Sequence, residues 1–194
     1  VDLQQKKQVA EVEMPGCWGI FPAAAHARRF STLCGDGNVA TYTLNDDGTQ
    51  PAQGGRADSD KLFDPDGNAL FIHAEQAGEI YWFASFKGDL VAIDMGADKA
   101  RGVGRWPLVR GDDARKGWRP GGYAPLALDA RRNRLYVGMH PGGREGSHKM
   151  PAGQLWEIDL ASHRVVARWP GHAAIALHAP ASGDRMLYAI DGMT

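Results

Sequence analysis

The chain has 194 residues, enough for a domain with a real core. Hydrophobic residues make up 43% and charged residues 23%, an ordinary globular composition. The formal net charge of −1 argues against nucleic acid or anionic lipid as the main partner, and no apolar run reaches the roughly 18 residues of a membrane span.

The opening stretch, VDLQQKKQVAEVEMPG, has no apolar core of a secretory leader. The chain is therefore expected to be cytoplasmic, processed, or cut from something longer. Its 25 Gly and 11 Pro, with aromatic residues in short β-like runs, favour an all-β protein rich in turns. Residues 1–16 alternate and close on Pro-Gly, like "VVARWPGH" further on, and read as the outer strand of a preceding blade. Residues 17–68 read as a first full blade, with Gly35-Asp36-Gly37 as a hairpin turn. "DPDG" at Asp64 to Gly67 lacks the ligand run of a calcium loop and reads as a turn.

Residues 69–122 and 123–171 repeat the plan, and 172–194 start it again. Each copy has an apolar strand, a polar turn, an aromatic-rich strand, a Gly turn and a strand ending in Asp. A polar turn then leads to a fourth strand such as "HRVVARWPG". A four-stranded antiparallel unit recurring about every 50 residues is the signature of a β-propeller. Apolar residues do not recur at helical spacing. The chain thus holds three to four blades, starting on an outer strand and stopping after two strands of another. It is expected to be part of a larger ring, because open sheet edges invite pairing with other chains. Trp82, Trp106, Trp156 and Trp169 recur at strand positions and read as blade packing.

A hairpin centred between Ala25 and His26 places Cys17 opposite Cys34. Opposed residues lie about 4.5–5.5 Å apart at Cα, within the roughly 4.4–6.8 Å of a disulfide. The alternatives are a cross-strand disulfide, which would place the chain in an oxidising compartment, or two buried thiols.

"HPGGREGSHKMP", His140 to Pro151, invites a metal or catalytic reading. His140 and His148 flank Glu145, but no second ligand cluster stands at a zinc-like spacing. It lacks the spacing of a phosphate loop, and Ser147 and His148 are adjacent, so they point apart on an extended chain. It reads as an insertion rimming one face, where loops bind partners. "KGWRPGGY", Lys116 to Tyr123, carries interface-prone types in Trp118, Arg119 and Tyr123, and reads as either a structural turn or part of a partner face.

"CWGIFP", "GDGNVATYTL", "KGWRPGGY" and "HPGGREGSHKMPAGQLWEIDLASHRVVARWPG" together resemble the large (heavy) subunit of the tryptophan tryptophylquinone amine dehydrogenases, the methylamine and aromatic amine dehydrogenases. "GWRPGG" looks like both branches, and the His140 loop is closer to the aromatic amine branch. The resemblance implies a seven-bladed propeller, of which this chain covers about half. It implies a periplasmic heterotetramer of two large subunits and two small, disulfide-dense ones. The tryptophan tryptophylquinone cofactor would lie on the small subunit, and none on this chain. A primary amine would be deaminated oxidatively to aldehyde and ammonia, with electrons passing to a small blue copper protein. No catalytic, cofactor-binding or metal residue is then expected here. Cys17 and Cys34 match the disulfide expected in the family. The partner-interface candidates are Trp118, Arg119, Tyr123, His140, Arg144, His148 and Lys149. The rival readings are a self-sufficient propeller hydrolase, with a metal held by His73, Asp129 and His178 on the inner strands, and a bare protein-interaction propeller.

Overall fold

The computed structural model describes residues 1–181 and 186–192. Strands β1 (Cys17–Pro22), β2 (Arg29–Cys34), β3 (Val39–Leu44) and β4 (Pro51–Asp58) form one antiparallel sheet in chain order. Central β2 and β3 are almost wholly buried, with Leu33, Val39 and Ala40 at 0% exposure, while β4 alternates outward. The polar residues that share this interior are paired: the Ser31 and Thr41 hydroxyls bond at 2.9 Å. Gly37, at φ +89°, closes the β2–β3 turn with its N–H on the Cys34 carbonyl at 2.9 Å. A Cβ there would lie 2.3 Å from the Phe63 carbonyl oxygen, so the position admits only glycine. The turn at Asp64 closes on itself, with Gly67 N–H donating to Asp64 Oδ1. Cys17 stands opposite Cys34 and the two form a disulfide.

Residues 8–14 form no strand ladder. Their alternation is strand-like, but Val12 and Met14 instead pack on the cluster of Cys34, Ala40 and Tyr42.

Strands β5 (Leu70–Ala77), β6 (Ile80–Ser85), β7 (Asp89–Asp94) and β8 (Arg101–Pro107) form a second four-stranded sheet. The apolar runs of β6 and β7 are its interior, and β8 is the exposed outer strand. A short helix, α1 (Gly111–Arg115), leads to β9 (Arg119–Pro120), β10 (Leu126–Asp129), β11 (Arg134–His140), β12 (Ala152–Asp159), β13 (Arg164–His178) and β14 (Tyr188–Asp191). These strands build one sheet in the order β10-β11-β12-β13-β14, with β9 added on β11.

Strand β13 runs through residue 172, where the sequence reading divides one blade from the next. Its first half pairs with β12 and its second with β14. Between them His172 and Ala173 take positive φ, and a Cβ on Gly171 would meet the Ala152 carbonyl oxygen at 2.3 Å. The strand bends where it changes partner.

The chain divides into two compact units. One comprises Val1–Gly67, Gly78–Ile80 and Ile93–Val103; the other Asn68–Ala77, Tyr81–Ala92 and Gly104–Thr194. The first is centred on Leu33, Val39 and Ala40, and the second on Leu126, Leu135, Val137, Met139, Trp156 and Ile158. Among the described residues no helix is long and apolar enough to cross a membrane.

Candidate functional site

The two glycine-rich segments singled out in the sequence interlock within the second unit. Met139 pairs with Pro120 and His140 with Arg119. Gly142 N–H donates to the Lys116 carbonyl at 3.0 Å, and Gly143 N–H to the Gly117 carbonyl at 2.6 Å. Gly121 N–H reaches the Gly138 carbonyl and Gly122 N–H the His148 carbonyl. Glycine is needed at the crossing because backbone approaches backbone there. Gly122 sits at φ +116°, and a Cβ on it would lie 2.6 Å from the Ile175 carbonyl oxygen. Gly122→Ala is accordingly expected to cost about 1–3 kcal/mol in urea unfolding. An unchanged midpoint would show that the loops do not depend on this close approach.

The interface candidates separate into supports and surface. His140 is only 2% exposed, with Nδ1 3.1 Å from the Pro141 carbonyl oxygen and Nε2 buried without a hydrogen-bond partner. His148 is half-buried and stacks on Phe86 at 4.6 Å and 9°. Trp118 is half-buried, 5.6 Å from the Trp156 ring. The Arg119 side chain covers Gly143, where a Cβ would meet its Cγ and Cδ at 2.4 Å. Ser147, the hydroxyl weighed as a nucleophile, is buried and accepts the Arg144 N–H at 3.0 Å, closing the loop on itself. Tyr123, Arg144, Lys149 and Met150 are left outside. Lys149 Nζ lies 6.0 Å from the Tyr123 ring centroid, at the edge of cation–π range. The solvent side of the interlock is therefore aromatic, apolar and basic.

Of the tryptophans read as packing, Trp156 and Trp82 are buried and Trp106 is half-buried, but Trp169 is 49% exposed. Its place on β13 near the bend turns it to the surface.

The inner-strand residues stand apart. His73, on β5, faces Glu75 with Nε2 3.8 Å from Oε1. Asp129 pairs with Arg132 at 3.4 Å, and His178 is exposed. Among the described residues no group of three or more His, Cys, Asp or Glu comes together as a metal site. Glu75 was not singled out in the sequence. Burial pushes its carboxyl up to about 7, against a bond from the Leu128 N–H that lowers it. Burial also holds the His73 imidazole below its usual range. The signal available was the alternation in "FIHAEQA", which places both side chains on one face.

Solved structures show the fold class. The β-propeller domain of a Myceliophteria thermophila Cps50 (Swd1) structure aligns over 91% of this chain and 49% of that one, at TM-score 0.52 and 14% identity. A chain of a mitotic checkpoint complex aligns over 86% and 43%, at TM-score 0.51 and 12% identity. The fold is a β-propeller of four-stranded antiparallel sheets.

Sequence relatives include the methylamine dehydrogenase heavy chains of Methylorubrum extorquens, 23% identical over the whole of this chain and 48% of the relative, and of Methylophilus methylotrophus, 24% identical over 87% and 40%. The chain thus spans about half the length of the curated relatives it matches. The family model for the methylamine dehydrogenase heavy chain matches residues 1–191. With nearly every residue inside that match, the chain belongs to the methylamine dehydrogenase heavy chain family.

Proposed function

We propose that this chain is part of the non-catalytic large subunit of a periplasmic quinoprotein amine dehydrogenase. The family match over residues 1–191 carries the reading. The complex deaminates a primary amine to aldehyde and ammonia and hands the electrons to a small blue copper protein. On this reading residues 17–68, 69–122 and 123–171 are successive blades. Residues 1–16 and 172–194 belong to their neighbours, with 182–185 and 193–194 outside the described residues.

Membership of the heavy chain family supports assigning the quinone and its acid–base groups to the small subunit. This chain's contribution is a rigid docking face. Tyr123, Arg144 and Lys149 meet the partner, and Trp118, Arg119, His140 and His148 hold them in place. Preorganised loops reduce the ordering cost of association.

Co-expression with a small, cysteine-rich subunit is expected to yield a complex with quinone absorbance and amine-dependent dye reduction. The large chain by itself is expected to be inactive. Amine oxidation by the large chain alone would overturn the reading.

A further inference from the structure

A concave site built from other residues than the loop interlock lies wholly within the second unit. The end of β8, the residues after it and the start of β13 enclose a cavity of about 400 Å³. Its wall carries Arg110, His163, Arg164 and Arg168, over an apolar floor that includes Leu108 and Val165. Three guanidinium groups in one concavity repel one another unless an anion offsets them.

Only one is neutralised. Arg168 bonds both oxygens of Asp113, at 2.9 and 2.6 Å, and lies over the Trp156 ring at 3.9 Å. Among the described residues neither Arg110 nor Arg164 forms an ion pair with any carboxylate. Arg110 is restrained by its Nε–H, which donates to the Pro107 carbonyl at 2.9 Å. His163 is locked in the β12–β13 turn at φ +56°, its ring stacked on Trp106 at 3.6 Å and 5°. Arg164 and Arg168 both line the cavity from β13, on either side of the bulge between Val165 and Ala167. The wall is thus held by stacking and hydrogen bonds that do not consume the charges of Arg110 and Arg164.

We propose that this cavity binds a small multivalent anion, a phosphate ester or a di- or tricarboxylate, clamped between Arg110 and Arg164. Guanidinium forks match carboxylate and phosphate oxygens bidentately. The volume falls within the range of small-molecule sites, about 300–1,000 Å³. The inference is independent of the amine dehydrogenase reading.

Calorimetric titration of the protein with citrate and with inorganic pyrophosphate at low ionic strength tests it. One-to-one saturable binding of at least one of them is expected, weakened at least about tenfold by Arg110→Gln or Arg164→Gln. Both positions are exposed, and thermal unfolding checks that the variants fold. Arg131→Gln, an exposed arginine outside the cavity wall, is expected to leave the affinity unchanged. Three results would each overturn the proposal: no saturation by either anion at about 1 mM, equal weakening by Arg131→Gln, or saturation by poly-glutamate but by neither small anion.

Discussion

Trp156→Ala is expected to lower stability by about 3–5 kcal/mol. Trp156 is fully buried on β12. One face meets the Arg168 guanidinium at 3.9 Å, the Trp118 ring is 5.6 Å away, and its indole N–H donates to Gln154 at 2.9 Å. Removing it opens a cavity and strips the packing from two groups with other duties. Arg168 ties β13 to Asp113 in α1, and holds that carboxyl below the usual carboxylate range through its hydrogen bonds. Trp118 anchors the segment that crosses the His140 loop. Urea unfolding measures the loss, and Trp169→Ala, at a half-exposed position of the same sheet, provides the comparison. The expected cost there is below about 1 kcal/mol. Equal midpoints for the two variants would contradict the assignment of Trp156 as the keystone of this sheet.

Glu75→Gln is expected to stabilise the protein above pH 7 by about 3 kcal/mol and to do little near pH 4.5. Burial raises the Glu75 carboxyl from its ordinary 4.5 to about 7. The folded chain therefore keeps a proton that the unfolded chain releases. Stability falls as pH rises through that window and levels off above it. Glutamine keeps an acceptor for the Leu128 N–H and cannot ionise. His73 acts in the opposite sense. Burial keeps it neutral in the folded chain, so stability is lost as pH falls below about 6.5, where the unfolded imidazole charges. His73 is present in both proteins, so the difference between variant and parent reports Glu75 together with its contact to His73. Urea midpoints at pH 5, 6, 7 and 8 should separate progressively and then hold constant. A gap independent of pH would refute the buried-carboxyl account.

Much of the fold was legible because its cause is local. Alternating and apolar runs separated by Gly turns define hairpins, and hairpins repeated in chain order define blades. The Cys17–Cys34 disulfide belongs to the same class, since a single short hairpin brings the two together. Where local pattern and tertiary context diverged, tertiary context decided. Residues 8–14 alternate like a strand, yet they take no ladder. At position 172, read in the sequence as the start of the next blade, β13 bends on two positive-φ residues and changes partner from β12 to β14.

The candidate site was legible as two motifs and not as one site. By itself the sequence determined the repeat, the propeller class, the opposition of Cys17 and Cys34 across one hairpin, and the presence of glycine where the backbone must turn. Those follow from side-chain periodicity and from the φ range of single residues. Only the tertiary structure decided that "KGWRPGGY" and "HPGGREGSHKMP" clasp each other, because that depends on backbone bonds such as Gly143 to Gly117, with β9, β10 and β11 between them in the chain. It also decided that His140 is interior and His148 is stacked on Phe86, while Tyr123 and Lys149 face outward. Burial, ion pairing and the convergence of arginines from separate segments are sums over distant neighbours, and no local pattern encodes them.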